Sequence, residues 1–280
     1  MAPQIKGRIL FLHGYTQSST IFYAKTSALR KRLLKLGYIP VYINGQLKLT
    51  PADFPSTDSL SKFSTVVADD EDDSNYRAWW IRPISNTEPI PVDDGVDTVR
   101  RYIEKGEIVE DSETKAKSSD EDHSDVPIVG IVGFSQGACL AGLIARNFNR
   151  LFDVKDKIKF VVAYGGFMLQ HPTLKSYYQK EDETKDDSFK LLQVIGELDT
   201  VVDEKRALTI LEPFPTNSEV LRHPGGHFVP NSKLLIDQVV NWMEHAMQDD
   251  KSSDKESSKA EKEEDDLDKL MDMMDNLGKA

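Results

Sequence analysis

The residues that could do chemistry centre on Ser135, which lies in the pentapeptide GFSQG at 133–137. An apolar run rich in β-branched residues (128–132) precedes this G-x-S-x-G pattern, and an Ala- and Leu-rich run at helical spacing (138–145) follows it. A serine at such a strand-to-helix turn needs a strained backbone, which glycines on either side accommodate sterically. The pattern therefore predicts that Ser135 Oγ projects from the turn as a nucleophile.

A nucleophilic serine needs a base and an acid, and each has two candidates in the sequence. His227 and His223 both lie in HPGGHFVP (223–230), and we favour His227 because the preceding glycines free its loop to reach a neighbouring strand end. Asp199 directly follows the apolar strand predicted at 190–195, so it is favoured over Asp203 as the acid that orients the histidine.

The oxyanion of an acyl-transfer intermediate needs two backbone donors. The helix predicted after Ser135 offers the N–H of Gln136, and the loop after the first predicted strand (9–12) offers the N–H of Tyr15. His13 lies in the same loop, where an H-G pair more often stabilises the loop than acts as a base. The order Ser135, Asp199, His227, each after a different strand, is that of an α/β hydrolase.

Aromatic residues lie close to these loops and could bind substrate. Trp79 and Trp80 form a rare pair, Phe134 is beside the nucleophile, and Phe167 follows another predicted strand end. A place for the tryptophans in the core or a lid is an equally good interpretation. Few Arg or Lys residues accompany these aromatics, which predicts an uncharged cleft suited to neutral esters with medium to long chains.

The elements that must position these groups alternate between strands and helices. Buried strands are predicted at 9–12, 39–43, 128–132, 158–163, 190–195 and 219–222, with helices between them, one of which spans 21–36 before Gly37. Short apolar runs separated by amphipathic helices predict a mostly parallel central sheet with helices on both faces. We expect residues 1–247 to form this single α/β domain, closed by a helix at 233–247.

Two acidic segments account for the whole formal net charge of −12. Residues 106–125 and 248–280 each carry six more acidic than basic residues and few apolar ones. We expect the first to be a disordered insertion and the second a flexible tail. Apolar residues recur at helical spacing within 267–277, so this part of the tail could form a short partner-binding helix or an isolated helix that frays.

Composition also excludes several classes of function. With a pI near 5.0, the chain offers no electrostatic reason to bind nucleic acid. Its single cysteine, Cys139, excludes an intramolecular disulfide and a cysteine zinc cage. The start of the chain lacks the apolar core of a signal peptide, and no apolar run approaches the length of a membrane span. We therefore expect a cofactor-free cytoplasmic protein, with a nuclear fraction allowed, that is not stably inserted in membranes.

The motifs together resemble those of the FSH family of serine hydrolases, which includes the ovarian cancer-associated protein 2 homologues. The matching stretches are LFLHGYTQS (10–18), YRAWW (76–80), IVGIVGFSQGA (128–138), GELD (196–199) and HPGGHFVP (223–230). The resemblance implies an α/β-hydrolase fold, esterase activity, and a triad of Ser135, Asp199 and His227. The acidic insertion and the tail depart from the family pattern without touching that triad.

These observations predict a serine hydrolase that cleaves small-molecule carboxylic esters through an acyl-enzyme. An acyl-protein thioesterase or a lysophospholipase would use the same triad and remains an alternative. A hydrolase-like interaction protein that acts through its tail is the alternative from another class.

Overall fold

Short apolar runs form the centre of this molecule as parallel strands. The structure, a computed structural model, describes residues 4–50, 53, 75–81, 83, 85, 87–109, 123–179 and 189–248. Its strands are β1 Gly7–Leu12, β2 Tyr38–Ile43, β3 Leu47–Lys48, β4 Arg77–Ala78, β5 Ile128–Phe134, β6 Phe160–Tyr164, β7 Lys190–Gly196 and β8 Ser218–His223. Every residue of β1 and β5 is buried, as expected of parallel strands covered on both faces.

Helices connect these strands. They are α1 Ser19–Lys25, α2 Ser27–Lys35, α3 Asp93–Lys105, α4 Gln136–Ala145, α5 Phe148–Phe152, α6 Lys175–Tyr178, α7 Glu204–Leu208 and α8 at 233–248. Residues 21–36 were predicted as one helix, and that prediction is wrong because α1 ends at Lys25 and α2 begins at Ser27. Thr26, between them, has φ −101° and ψ 16°; its hydroxyl donates to the Phe22 carbonyl and lies 2.6 Å from the Tyr42 hydroxyl. A threonine bond to the carbonyl four residues earlier often bends a helix.

Six strands form one sheet in the order β2-β1-β5-β6-β7-β8, and all neighbouring pairs are parallel. Strands β3 and β4 form a separate antiparallel pair. The direction of strand addition reverses between β1 and β5, and right-handed crossovers then place the connecting helices on opposite faces. Ligands in open parallel sheets bind at the carboxyl ends beside such a reversal, and Ser135 follows β5 at this point.

Alternate residues of β1 show how both faces are covered. Leu10 and Leu12 belong to the largest apolar cluster, together with α4 residues such as Leu140. Phe11 packs on the other face, where its ring centroid lies 5.9 Å from that of Phe22 in α1. Each face of the sheet is thus packed by its own helices.

The chain divides into two compact units, 1–240 and 241–280. The sheet and all predicted site residues belong to the first unit. Of the second unit the structure describes 241–248, which are helical. The tail from 249 onward, including the stripe at 267–277, lies outside the described residues.

The ends of the acidic insertion contact the domain. Ile108 packs against the main apolar cluster, and the Val109 carbonyl accepts a hydrogen bond of 2.8 Å from the Asn44 side chain. On the other side, the Ser124 carbonyl accepts a hydrogen bond from Arg8. Residues 110–122, the centre of the predicted disordered insertion, lie outside the described residues.

Candidate active site

The nucleophile elbow lies between β5 and α4. Ser135 has φ 50° and ψ −114°, a strained conformation for a residue with a side chain. The two glycines lie where no side chain fits. A Cβ at Gly137 would lie 2.1 Å from the Leu12 carbonyl oxygen, and a Cβ at Gly133 would lie 2.5 Å from Ala138 Cα. Both outer positions of the G-x-S-x-G pattern therefore require glycine, as the sequence predicted.

His227 joins the nucleophile to the predicted acid. Its Nε2 lies 2.9 Å from Ser135 Oγ, and its Nδ1 lies 2.7 Å from Asp199 Oδ2. Because an ionised carboxylate only accepts hydrogen bonds, Nδ1 carries a proton, and Nε2 lies where it can accept the serine proton. The structure thus brings all three predicted residues together in the arrangement that a serine hydrolase requires.

Asp199 is held in its ionised form. Burial raises the pKa of this carboxyl, but the hydrogen bond and charge of His227 and the amides of Val202 and Val201 bring the pKa below its ordinary value. The two amides donate to Asp199 Oδ1 at 2.8 and 2.9 Å, which leaves Oδ2 facing the imidazole. The rejected candidate, Asp203, caps α7 by accepting from the Arg206 amide.

His223, the histidine that was not chosen, lies at the end of β8. Its ring packs against Phe228 with the centroids 5.2 Å apart. Burial lowers the pKa of His223, although the charges of Asp199 and Glu197 oppose that shift. The residue is a buried neutral neighbour of the Asp199 carboxylate.

The two candidate oxyanion donors, Tyr15 and Gln136, line the same cleft as Ser135. The Tyr15 hydroxyl donates to the Asp53 carbonyl at 2.7 Å, so its ring is fixed beside the opening. Within the described part of the chain, neither backbone N–H donates to another group. Both amides stay candidate donors to an oxyanion at Ser135.

A cleft of about 760 Å³ opens above Ser135. This volume lies within the range of small-molecule sites. Its apolar lining comes from Trp80, Ile81, Ile90, Phe167, Met168, Leu169, Val201 and Val202, and its charged or titratable lining comes from Asp53, Glu88, His171 and Arg206.

The four predicted substrate-binding residues divide into two groups. Trp80 and Phe167 line the cleft. Trp79 is fully buried in the main apolar cluster. Phe134 packs behind the base, with its ring 4.8 Å from that of His227.

The expectation of an uncharged cleft is wrong because α7 contributes Arg206. The guanidinium carbon of Arg206 lies 3.6 Å from the centre of the Phe167 ring, in a cation–π contact. The sequence could have indicated Arg206, because it lies seven residues after Asp199 in the connection that follows the carboxyl end of β7. Two acids, Asp53 and Glu88, also line the cleft.

The described residues contain no group of three or more His, Cys, Asp and Glu side chains that could hold a metal ion. Cys139 is buried in α4, and burial raises the pKa of its thiol to about 12. No helix in the described ranges is both long and apolar enough to cross a membrane.

Related sequences cover almost the whole chain. The profile of the family described as serine hydrolase (FSH1) matches residues 1–239. The chain is 33% identical to family of serine hydrolases 3 of Saccharomyces cerevisiae, and the alignment covers 98% of each chain. It is 29% identical to esterase OVCA2 of Danio rerio, with 80% of this chain and 90% of that protein covered.

Solved structures share the fold at much lower identity. Acyl-protein thioesterase 2 of Zea mays matches with a TM-score of 0.52 at 17% identity, covering 88% of this chain and 96% of that one. SOBER1 of Arabidopsis thaliana matches with a TM-score of 0.52 at 17% identity, covering 86% and 99%. The predicted α/β-hydrolase fold is confirmed.

Proposed function

This chain belongs to the serine hydrolase (FSH1) family, and we propose that it hydrolyses carboxylic esters through Ser135, His227 and Asp199. The observation that carries the proposal is the continuous hydrogen-bond chain from Asp199 through His227 to Ser135, at 2.7 and 2.9 Å, which ends at the residue that lines the cleft. Membership of the family and its esterase relatives support an esterase-type hydrolase.

In the proposed mechanism each group has its own step. Ser135 Oγ attacks the ester carbonyl carbon while its proton passes to His227 Nε2, and Asp199 stabilises the imidazolium that forms. The amides of Tyr15 and Gln136 hold the oxyanion. His227 then gives the proton to the departing alcohol, which leaves an acyl group on Ser135. Water then attacks the acyl carbonyl carbon and gives its proton to His227. The bond from the acyl carbon to Ser135 Oγ breaks, His227 returns the proton to Oγ, and the carboxylic acid leaves.

We propose that the substrate carries a medium to long acyl or alkyl chain. The apolar lining that includes Trp80, Phe167 and Met168 favours such a chain, because each buried methylene contributes ~0.8 kcal/mol. The Arg206 guanidinium stacks on the Phe167 ring, and Asp53 and Glu88 add opposite charge, so the cleft presents mixed polarity beside its apolar wall.

The triad is tested by kinetics on a p-nitrophenyl ester. Ser135→Ala and His227→Ala should each lower kcat by about three orders of magnitude or more, and Asp199→Asn by a similar or smaller factor. His223→Ala is the matched control, since it removes a buried histidine from the same segment, and its kcat should stay close to wild type. If His223→Ala abolished turnover while His227→Ala did not, the assignment of the base would be wrong.

The substrate class is tested on a series of p-nitrophenyl esters from acetate to dodecanoate. We expect kcat/KM to rise from acetate through the medium chains until the apolar wall is fully covered. Each added pair of methylenes should raise kcat/KM by at most about fifteenfold. A profile that is flat or falls from acetate onward would overturn the chain-length proposal and leave the triad untouched.

A further inference from the structure

Trp79 lies behind the cleft and contacts both segments that carry the candidate oxyanion donors. Its side chain is fully buried, and its indole Nε1 donates to the His13 carbonyl at 2.8 Å. Its backbone N–H donates to Gln136 Oε1 at 3.0 Å. One residue therefore bridges the loop that leads to Tyr15 and the residue that follows the nucleophile.

The bridge to the nucleophile elbow has two hydrogen bonds. Gln136 Oε1 accepts from the Trp79 amide, and Gln136 Nε2 donates to the Trp80 carbonyl at 2.7 Å. This side chain thus pairs with the tryptophan backbone through both of its polar atoms. The same residue supplies the proposed oxyanion amide. Its backbone is therefore held by these two side-chain hydrogen bonds as well as by its place in α4.

The bridge to the first loop is equally defined. The His13 ring stacks on Trp79 with the centroids 5.0 Å apart and the planes 30° apart. His13 Nδ1 lies 2.8 Å from the Gly14 carbonyl, and His13 Nε2 lies 2.9 Å from the Gly45 amide. A carbonyl only accepts and an amide only donates, so His13 is neutral with its proton on Nδ1.

The loop after His13 needs such restraint because it contains a strained residue. Thr16 has φ 59°, a conformation that a β-branched residue rarely adopts. Backbone strain of this kind persists only where the surrounding contacts enforce it. The strained position directly follows Tyr15, whose N–H is the first candidate oxyanion donor.

We propose that Trp79 is a positioning residue of the oxyanion hole: its indole N–H and backbone N–H fix the Tyr15 and Gln136 amides relative to each other. The inference rests on the proposed esterase function and deepens it. Donors of this type act only if they are held within about 0.5 Å of their productive positions, and loss of one costs about 10²- to 10³-fold in rate. Trp79 acts on the transition state without touching substrate.

The first test is Trp79→Phe, which keeps an aromatic ring against His13 and removes the indole N–H. We expect kcat to fall by about tenfold or more with KM within about twofold of wild type, because an oxyanion develops only in the transition state. Affinity for an alkyl boronic acid, which forms a tetrahedral adduct on the serine, should weaken by a similar factor.

Tyr102→Phe is the matched control. The Tyr102 hydroxyl accepts a buried hydrogen bond of 3.0 Å from Arg8, and its removal costs the protein a hydrogen bond that does not involve the cleft. This variant should lose a comparable amount of thermal stability and keep kcat and the boronic acid affinity of wild type.

A second variant keeps the inference testable if Trp79→Phe does not fold. Gln136→Met retains the backbone amide and the side-chain length but removes both bonds to the tryptophan segment. It should show the same fall in kcat with little change in KM. In the double variant the two losses should not add, because both act through one network.

The outcomes separate this inference from the proposed function. If Ser135→Ala is inactive while folded Trp79→Phe and Gln136→Met both keep the kcat of wild type, the positioning role is overturned and the esterase proposal stands. A loss expressed in KM, or one that grows with acyl chain length, would assign Trp79 to substrate binding and also overturn it. If Ser135→Ala retains turnover, the proposed function itself fails.

Discussion

The two sides of the cleft are built by different means. On the strand side, Ser135, Asp199 and His227 follow the carboxyl ends of β5, β7 and β8, so the register of the parallel sheet brings them together. On the tryptophan side, which comprises residues 13–17 and 75–81, the position of the backbone depends on side chains that bond to it, such as Gln136 and His13.

The adjacent residues Trp79 and Trp80 show what this difference means. Both are almost completely buried and belong to the main apolar cluster, but Trp80 also lines the cleft and Trp79 does not. They share one residue type and one motif but face different surroundings. Sheet geometry therefore places the three proposed triad residues, and individual hydrogen bonds determine which tryptophan lines the cleft.

The largest effect outside the triad should come from Gly165, on the strand side. Gly165 has φ 57°, and a Cβ there would lie 2.9 Å from His227 Cε1 and 3.0 Å from His227 Nδ1. Gly165→Ala should therefore displace the imidazole and lower kcat by about 10- to 100-fold, since catalysis is sensitive to shifts below 1 Å.

Gly106→Ala is the control that separates backbone strain from this contact. Gly106 has φ 68° and ends α3, and a Cβ there would meet no atom within 4 Å. Both variants should lose about 1–2 kcal/mol of stability from the left-handed backbone. Equal kcat in the two variants would show that the position of His227 is not fixed by its close contact with Gly165.

A smaller effect should distinguish the two tryptophans. Trp80→Ala should lower kcat/KM for p-nitrophenyl octanoate relative to acetate by about four- to fifteenfold, which corresponds to one or two methylene contacts. Trp79→Phe should lower the rates for both esters equally and leave their ratio unchanged. If Trp79→Phe changed the ratio and Trp80→Ala did not, the assignment of the two sides would be reversed.

Sequence patterns predicted the strand side almost completely. All six strands of the sheet were predicted, because continuous apolar runs bounded by turn residues are typical of buried parallel strands. The predicted order and strand-end positions of Ser135, Asp199 and His227 agree with their geometry in the structure.

The tryptophan side was predictable only in part. The motif YRAWW marked a segment near the site, but its periodicity could not assign Trp79 to the core and Trp80 to the cleft. That assignment depends on bonds to residues 66 and 57 positions away in the chain, His13 and Gln136. Arg206 was missed for a similar reason, since its place in the cleft follows from how α7 packs and from its contact with Phe167.

The smallest expected effect concerns His223 and the pH dependence of stability. Burial lowers the pKa of His223 below 6.5 in the folded state, so the unfolded chain binds its proton more readily. The stability contribution of neutral His223 is then complete above pH 6.5 and is lost as the pH falls through the lower, folded-state value.

This dependence can be measured as the change in Tm between pH 7.5 and 5. His223→Gln should lose less Tm over this interval than wild type, by no more than about 2–4 °C, the shift that 1 kcal/mol produces in a domain of this size. A variant with the same or a steeper loss would indicate that other groups govern acid stability.

The central claim, that Ser135 is the nucleophile activated by His227, is tested most directly by labelling with a fluorophosphonate and mapping the modified residue by mass spectrometry. Wild type should take up one label, on Ser135, and His227→Ala should react more slowly by about three orders of magnitude. Ser135→Ala should remain unlabelled. A label on any other residue, or undiminished labelling of Ser135→Ala, would contradict the account.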